Sequence, residues 1–398
     1  MRILYITSGF PFPLTSGYLR HYYFIRGLSQ RHAVRLLSVV GRNFRSEHVA
    51  GLAPYTTGVL TFGNDEPDGA RPSKAARVVR SLVSGTAADR PVERLGAAVR
   101  RSLREDPPDV ILYSGKRTYP AIAGVRGVPI LADMCDATSA RILGRMAHGG
   151  PVPQPGQWVE YLKVRWVERH LLLQAAHLMF ASCRDRERIA PSAARASVVS
   201  NGVDVDYWRR RDARLGTNTI VLTGAMDYAP NLDAALVLMS ELLPQVRRTC
   251  PDVRLLIVGR DAPARLVEAG RRFGACVTGA VPDIRPYLEQ ASVFVAPLRF
   301  GTGIQNKLLE AMAMEVPVVT SPLGADGLRT EGGHAPPVAV ARRPEEFVAQ
   351  ILRGLAEARH HAAPDHAARR FVEENFTWRA SVARIEDLIA ALAGRRAA

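Results

Sequence analysis

Arg299, Lys307 and Glu310 lie around the loop Arg299-Phe-Gly301-Thr302-Gly303-Ile304-Gln-Asn306, and their types and spacing suit a diphosphate. Gly301 and Gly303 let the backbone approach a ligand closely and turn freely. Arg299 and Lys307 bracket the loop with positive charge, the first able to grip phosphate oxygens as a fork and the second as a point charge. A helix predicted from Lys307 to Met314 adds unpaired N–H groups and a positive dipole end. Glu310 falls three residues beyond Lys307, on about the same helical face. A carboxylate there cannot hold phosphate, but it accepts hydrogen bonds from vicinal hydroxyls such as those of a ribose. Read one by one, the glycines are also compatible with plain turns, Lys307 with a surface lysine and Glu310 with a solvated helix position, because short glycine loops are weak signals.

The elements that position these residues are legible. Val293 to Leu298 is a short apolar run that reads as a buried parallel strand, and Val316 to Thr320 is the next one. The loop therefore sits at the carboxyl end of a strand, where open parallel sheets bind ligands. A second strand, Val128 to Ala132, runs into Asp133-Met-Cys-Asp136-Ala-Thr-Ser139. Two carboxylates just past a strand end are in catalytic territory, so either Asp133 or Asp136 is expected to face the cleft, with helix capping by Asp136 or Ser139 as the plainer role. Ile220 to Thr223 is a strand ending at Gly224, where the backbone can approach a nucleotide. Val253 to Val258 ends at Gly259-Arg260, and Arg260 either reaches base or phosphate or lies on the surface.

The chain begins in the same style, with a strand from Arg2 to Thr7, a proline-punctuated loop to Gly17, a helix from Tyr18 to Arg31 and a strand from Val34 to Val40. This alternation indicates a doubly wound α/β sheet, and 398 residues point to two or three domains. The net charge of +15 favours anionic partners: a nucleotide diphosphate, an acidic membrane surface or nucleic acid. Arginine in an alanine- and proline-rich background reads equally as coding bias. Arg71, Lys74, Arg77 and Arg80 recur along a predicted helix from Ala70 to Arg104, as a solvated face or as a contact to a membrane surface or anionic acceptor. No aromatic residue interrupts that run, which disfavours a single-strand nucleic-acid platform, and no nucleic acid is expected. Val159 to Leu173 is a predicted amphipathic helix with Trp158 and Trp166, accounted for by core packing or, more sharply, by membrane contact. Cys135, Cys183, Cys250 and Cys276 are far apart and lack metal spacing, which fits a reduced cytoplasmic setting. The N-terminal stretch is too broken for a signal peptide, and no run approaches the ~18 apolar residues of a transmembrane helix.

The stretch from Val293 to Leu328, with its pattern APLR-x-GTGIQNK-LLEAMAM-x-VPVV, resembles the nucleotide-sugar site of glycosyltransferase family 4, retaining enzymes of GT-B fold. The resemblance is strong from Leu222 to Leu328, good from Phe180 to Val205 and weaker before Asp133. It implies two Rossmann-like domains facing across a cleft: 1–205 for the acceptor, 206–375 for the nucleotide-sugar, and a last helix, 376–398, returning to the first domain. Glu310 matches the second glutamate of the family's Glu-seven residues-Glu signature, which contacts the donor ribose. Thr302 stands where the first would be, so backbone N–H groups of the Gly301-Thr302-Gly303-Ile304 turn serve in its place. Gly17 carries over from the glycine pair of the first loop, which contacts donor phosphates and acceptor. Asn201-Gly202-Val203-Asp204 resembles the passage between domains. Asp227 and Asn231 stand where many members have Arg and Lys, which moves diphosphate binding onto Arg299 and Lys307.

The implied reaction is transfer of a sugar from a nucleotide diphosphate sugar to an acceptor hydroxyl with retention, the departing diphosphate taking the acceptor proton. No metal is expected, since fixed cations take its place and the cleft motifs lack an Asp-x-Asp site. The implied acceptor is a saccharide, a lipid-linked molecule or a small natural product, and the implied location is cytoplasmic, with peripheral contact at the inner membrane face through the basic first domain. Two alternatives stand beside this: a nucleotide-sugar 2-epimerase of the same fold, and a non-catalytic nucleotide-sugar-binding subunit.

Overall fold

The computed structural model describes residues 1–14, 18–41, 44–63, 90–148, 154–192, 194–211, 218–360 and 366–397. The first half is built on β1 (Arg2–Thr7), α1 (Leu19–Leu28), β2 (Ala33–Val39), β3 (Gly58–Phe62), α2 (Arg90–Glu105), β4 (Val110–Ser114), β5 (Ile130–Cys135), α3 (Thr138–His148), α4 (Pro155–Gln174), β6 (His177–Phe180), α5 (Cys183–Ile189) and β7 (Ala196–Val198). Its seven strands are parallel in the order β3-β2-β1-β4-β5-β6-β7. Strands such as Ile3-Leu4-Tyr5-Ile6 and Ile111-Leu112-Tyr113 are buried on both faces, which is why they read as continuous apolar runs rather than as alternation.

The second half contains β8 (Thr219–Thr223), α6 (Ala229–Val237), α7 (Leu243–Thr249), β9 (Arg254–Val258), α8 (Ala264–Phe273), β10 (Cys276–Val277), α9 (Arg285–Glu289), β11 (Val293–Ala296), α10 (Asn306–Ala313), β12 (Val318–Thr320), α11 (Pro322–Asp326), β13 (Ala339–Val340), α12 (Pro344–Arg359) and α13 (His366–Asn375). A widened turn, Leu238–Leu242, joins α6 to α7. The six strands are again parallel, ordered β10-β9-β8-β11-β12-β13. In both sheets the order reverses beside the first strand of the half, which is the place where such sheets bind ligands.

The last helix, α14 (Trp378–Ala397), packs back on α1. Trp378 stacks flat on Tyr23 with ring centroids 4.5 Å apart, and Val382 fills the space left by Gly27. The chain thus passes between the two sheets at adjacent points, where Val203 bridges to Thr377 and Gly202 lies against the Thr377-Trp378 backbone.

Several elements differ from the sequence reading. Strand β3 and helices α5 and α8 were not anticipated, and α4 starts earlier than the apolar residues imply, at Pro155. Core packing accounts for one face of α4, where Val167 and Leu171 are buried, but not for the other, where Trp158 and Trp166 remain 47% and 44% exposed. The basic positions Arg71, Lys74, Arg77 and Arg80 lie outside the described residues. The same predicted segment continues into α2, whose Val92, Leu95 and Val99 are buried.

Candidate functional site

The loop between β11 and α10 meets the first domain at three places. Phe300 packs against Gly144 and stacks on His148 of α3, with ring centroids 5.4 Å apart. The Thr302 hydroxyl donates to Asp136 Oδ2 at 2.7 Å. The Gly303 N–H donates to Asp185 Oδ2 at 2.5 Å. Gly303 holds φ of 69°, in the left-handed region that favours glycine, so its amide turns out toward the other domain. Arg184 closes the same seam by donating to the carbonyls of Leu323 (2.5 Å) and Gly303 (3.4 Å). The loop is therefore largely closed to solvent.

Lys307 lies in the first turn of α10 and is buried, 7% exposed. Its ammonium donates to the side-chain oxygens of Asn231 and, at 3.0 Å, Gln305. Both acceptors are neutral amides. Burial pulls the Lys307 pKa down to about 7, with half-buried Glu310 one turn away opposing the shift. Burial also pushes Glu310 up to about 7, against the attraction of Lys307. Asn231 is aimed from behind. Its amide donates to Ala225 O at 2.9 Å, and a Cβ at Gly224 would lie 2.5 Å from that amide. A Cβ at Gly259 would strike Gly224 O at 1.7 Å. The expected approach of Gly224 is thus taken up by Asn231 and Gly259, and Gly224 reaches Lys307 through Asn231.

The two carboxylates at the end of β5 have opposite surroundings. Asp133 is buried in the first domain, where Arg20 grips it with two donors at 2.8 and 3.2 Å. It faces α1 rather than the cleft. Cys135 then takes a left-handed turn, φ 59°, beside a register shift between β5 and β6, and the chain delivers Asp136 to the cleft. Asp136 accepts from Thr138 (2.5 Å) and Thr302, with Arg141 Nε at 3.4 Å and Lys116 Nζ at 3.6 Å. Burial works to raise its pKa, but Lys116, Arg141 and the two hydroxyls outweigh it and hold the carboxyl below its ordinary range. Asp136 is therefore an ionised group at neutral pH, unsuited to supplying a proton.

The other predicted residues are placed as follows. Arg299 stands at the rim, 46% exposed by side chain, and forms a two-point ion pair with Asp233 of α6. In this arrangement its charge is matched by Asp233. Arg260 pairs with the adjacent Asp261 and is more than a third exposed. Ile304 is partly buried against the second domain's core. Gly17 lies outside the described residues. Asp204-Val-Asp206 has Asp-x-Asp spacing, but Asp204 Oδ1 accepts the Tyr207 N–H and caps a local turn. Among the described residues no group of three or more His, Cys, Asp or Glu is arranged to hold a metal ion.

Sequence reading missed the first domain's share of the site: Lys116, Arg141, Arg184 and Asp185. It also missed a relay from Asp133 through Arg20 to Asn201 Oδ1 (3.0 Å), and from Asn201 to Asn306 Oδ1 (2.8 Å) at the start of α10. No spacing signal links these positions, since each sits on a different element. Only Asn231, standing where the resembled family often has a cation, carried a hint.

Residues 217–357 match the family model described as Glycosyl transferases group 1. The phosphatidyl-myo-inositol mannosyltransferase of Mycobacterium tuberculosis is 34% identical over 197 residues, covering 44% of this chain and 49% of the relative. The Mycobacterium leprae mannosyltransferase is 32% identical over 189 residues with the same coverage. The match spans about half the length of these curated relatives. Among solved structures, Anabaena HepE in complex with UDP and glucose superposes with a TM-score of 0.68 at 14% identity, covering 98% of this chain and 100% of that one. Sucrose-phosphate synthase from Thermosynechococcus elongatus gives 0.72 at 14% identity, covering 98% of each chain. The chain thus has the GT-B arrangement of two Rossmann-like α/β domains, and the match to the glycosyl transferases group 1 model falls on the second of them.

Proposed function

We propose that this protein transfers a sugar from a nucleotide diphosphate sugar to an acceptor hydroxyl, with retention at the anomeric carbon. One observation carries the reading: Lys307 is a buried ammonium hydrogen-bonded only to neutral amide oxygens among its described partners, at the first turn of α10. A buried cation without a matched anion destabilises the fold, and a diphosphate seated on the loop supplies that anion. The Asp185 carboxylate now on the Gly303 N–H marks the same loop as a seat for anionic oxygen. The mannosyltransferase relatives and the neighbour bound to UDP and glucose support the same donor class.

In the proposed reaction the bond from the anomeric carbon to the diphosphate oxygen breaks, and a bond to the acceptor oxygen forms on the same face. The acceptor proton passes to the departing diphosphate. Lys307 and the α10 N–H groups stabilise the charge that builds on the leaving group, and Glu310 accepts hydrogen bonds from the ribose hydroxyls. Asp136, from the opposite domain, holds a fixed negative charge beside Thr302, where positive charge develops on the sugar. Domain closure through Phe300, Thr302 and Gly303 excludes water, which otherwise hydrolyses the donor. The acceptor approaches from the first domain.

The test is a panel of nucleotide-sugars screened for a rise in melting temperature, followed by nucleotide diphosphate release on adding candidate acceptors. A donor that stabilises the protein and is consumed only with acceptor supports transfer. Epimerised donor without nucleotide release points to the epimerase reading instead.

A further inference from the structure

Helix α4 carries a face that the fold leaves open. Trp158, Leu162, Trp166 and Leu173 recur on one side of the helix, and they are 47%, 63%, 44% and 79% exposed. Val159 and, on neighbouring α3, Leu143 extend the patch. Folded monomers seldom leave so many large apolar side chains together in water. Lys163 and Arg169 are exposed on the same helix, and Arg165 is partly exposed. Of the two carboxylates of α4, Glu160 pairs with Arg145 of α3 at 2.5 Å, and the fully buried Glu168 lies 3.8 Å from Arg165 and 4.0 Å from Lys116, which leaves Arg169 and Lys163 as the cations at the edge of the face. An open cleft of ≈ 560 Å³ adjoins Leu173, with Arg126 and His170 on its wall.

From this combination we infer that the α3–α4 face docks on an anionic phospholipid surface. Tryptophan and leucine on one helical face, fringed by cations, match the chemistry of the headgroup boundary, where indole rings settle and aliphatic side chains enter the acyl region. A second copy of this chain fits worse, because a two-fold contact would set the same cations against each other on a chain of net charge +15. No described helix is long and apolar enough to cross a membrane, so the contact lies along the surface. The face is one helix away from the cleft: α3 bears Arg141 against Asp136 and touches Phe300 through Gly144. Docking there brings the cleft close to the headgroups. The inference stands apart from the transfer reading, since binding is measured without turnover.

The experiment is co-sedimentation of the full chain with vesicles of phosphatidylcholine alone, and of phosphatidylcholine carrying about 30% phosphatidylglycerol, at low salt. The expected result is binding to the anionic vesicles, a blue shift of tryptophan emission on binding, and little binding to the neutral ones. The double variant Leu162→Ser/Leu173→Ser, at the two most exposed positions, should reduce partitioning about tenfold or more. Lys163→Glu/Arg169→Glu should do likewise at low salt. Both variants should melt with the parent. Equal partitioning of parent and variants, or no affinity for anionic vesicles, overturns the inference. So does a dimer of the parent chain that both variants dissociate, since that makes a second copy the occupant.

Discussion

Arg20 and Lys307 are two buried cations, one in each domain, with opposite surroundings. Arg20 is 3% exposed and Lys307 7%. Arg20 meets a carboxylate at two points; burial works against its charge, but Asp133 prevails and raises its pKa. Lys307 meets amide oxygens, and its pKa falls to about 7. The first cation is finished by the fold. The second has only neutral amide oxygens as hydrogen-bond acceptors among the described residues. A buried charge is thus informative through its partners rather than through its burial.

The comparison breaks most visibly on stability. Removing one partner of the closed pair, as in Asp133→Ala, should lower the unfolding free energy by about 3–5 kcal/mol in a urea melt. A loss too small to measure would mean that the pair is not structural. Lys307→Met should do the reverse, leaving the melting temperature no lower than the parent's while turnover falls about 10²–10³-fold. The sign follows from the shift. Between pH 7 and the ordinary lysine range near 10.5 the unfolded chain holds more protons at this site than the folded one. Its contribution to stability therefore rises with pH across that window. A melting temperature well below the parent's would show that Lys307 serves the fold.

The same contrast recurs between the carboxylates three residues apart. Asp136→Asn should lower turnover by about 10²-fold with nucleotide affinity unchanged, because Asp136 meets Thr302 and not α10. Weakened nucleotide binding in calorimetry would move it into the donor seat. The smallest effect belongs to Arg299. Its pair with Asp233 stands partly exposed at the rim, so Arg299→Ala should cost less than about tenfold in turnover. A loss as deep as that of Lys307→Met would restore it as a phosphate clamp.

Much of this was legible in the sequence. Parallel strands buried on both faces leave unbroken apolar runs, and glycines at their carboxyl ends mark the ligand edge. The first signal located β1, β5, β8 and β11, and the second marked the turn after β8 and the loop from Arg299 to Asn306. Lys307 was legible because it follows that loop directly. Its isolation from any matched anion was not, since that depends on Asn231 and Gln305 being amides turned inward. Asp133 and Asp136 were indistinguishable until the left-handed turn at Cys135 sent them to opposite sides. Asp185, Arg184 and Lys116 could not be read at all, because their partners lie on other elements. The tryptophans of α4 could not be assigned for a related reason: an amphipathic pattern reports a face to be covered, not what covers it.

The most direct test of the central claim is calorimetry of UDP binding at pH 8, in buffers of different ionisation enthalpy, for the parent and Lys307→Met. Burial pulls the Lys307 pKa down to about 7, so at pH 8 a diphosphate that favours the ammonium draws protons onto it. The expected result is net proton uptake on UDP binding by the parent that is clearly reduced in the variant. UDP binding with no proton uptake, or with the same uptake in both proteins, would contradict it.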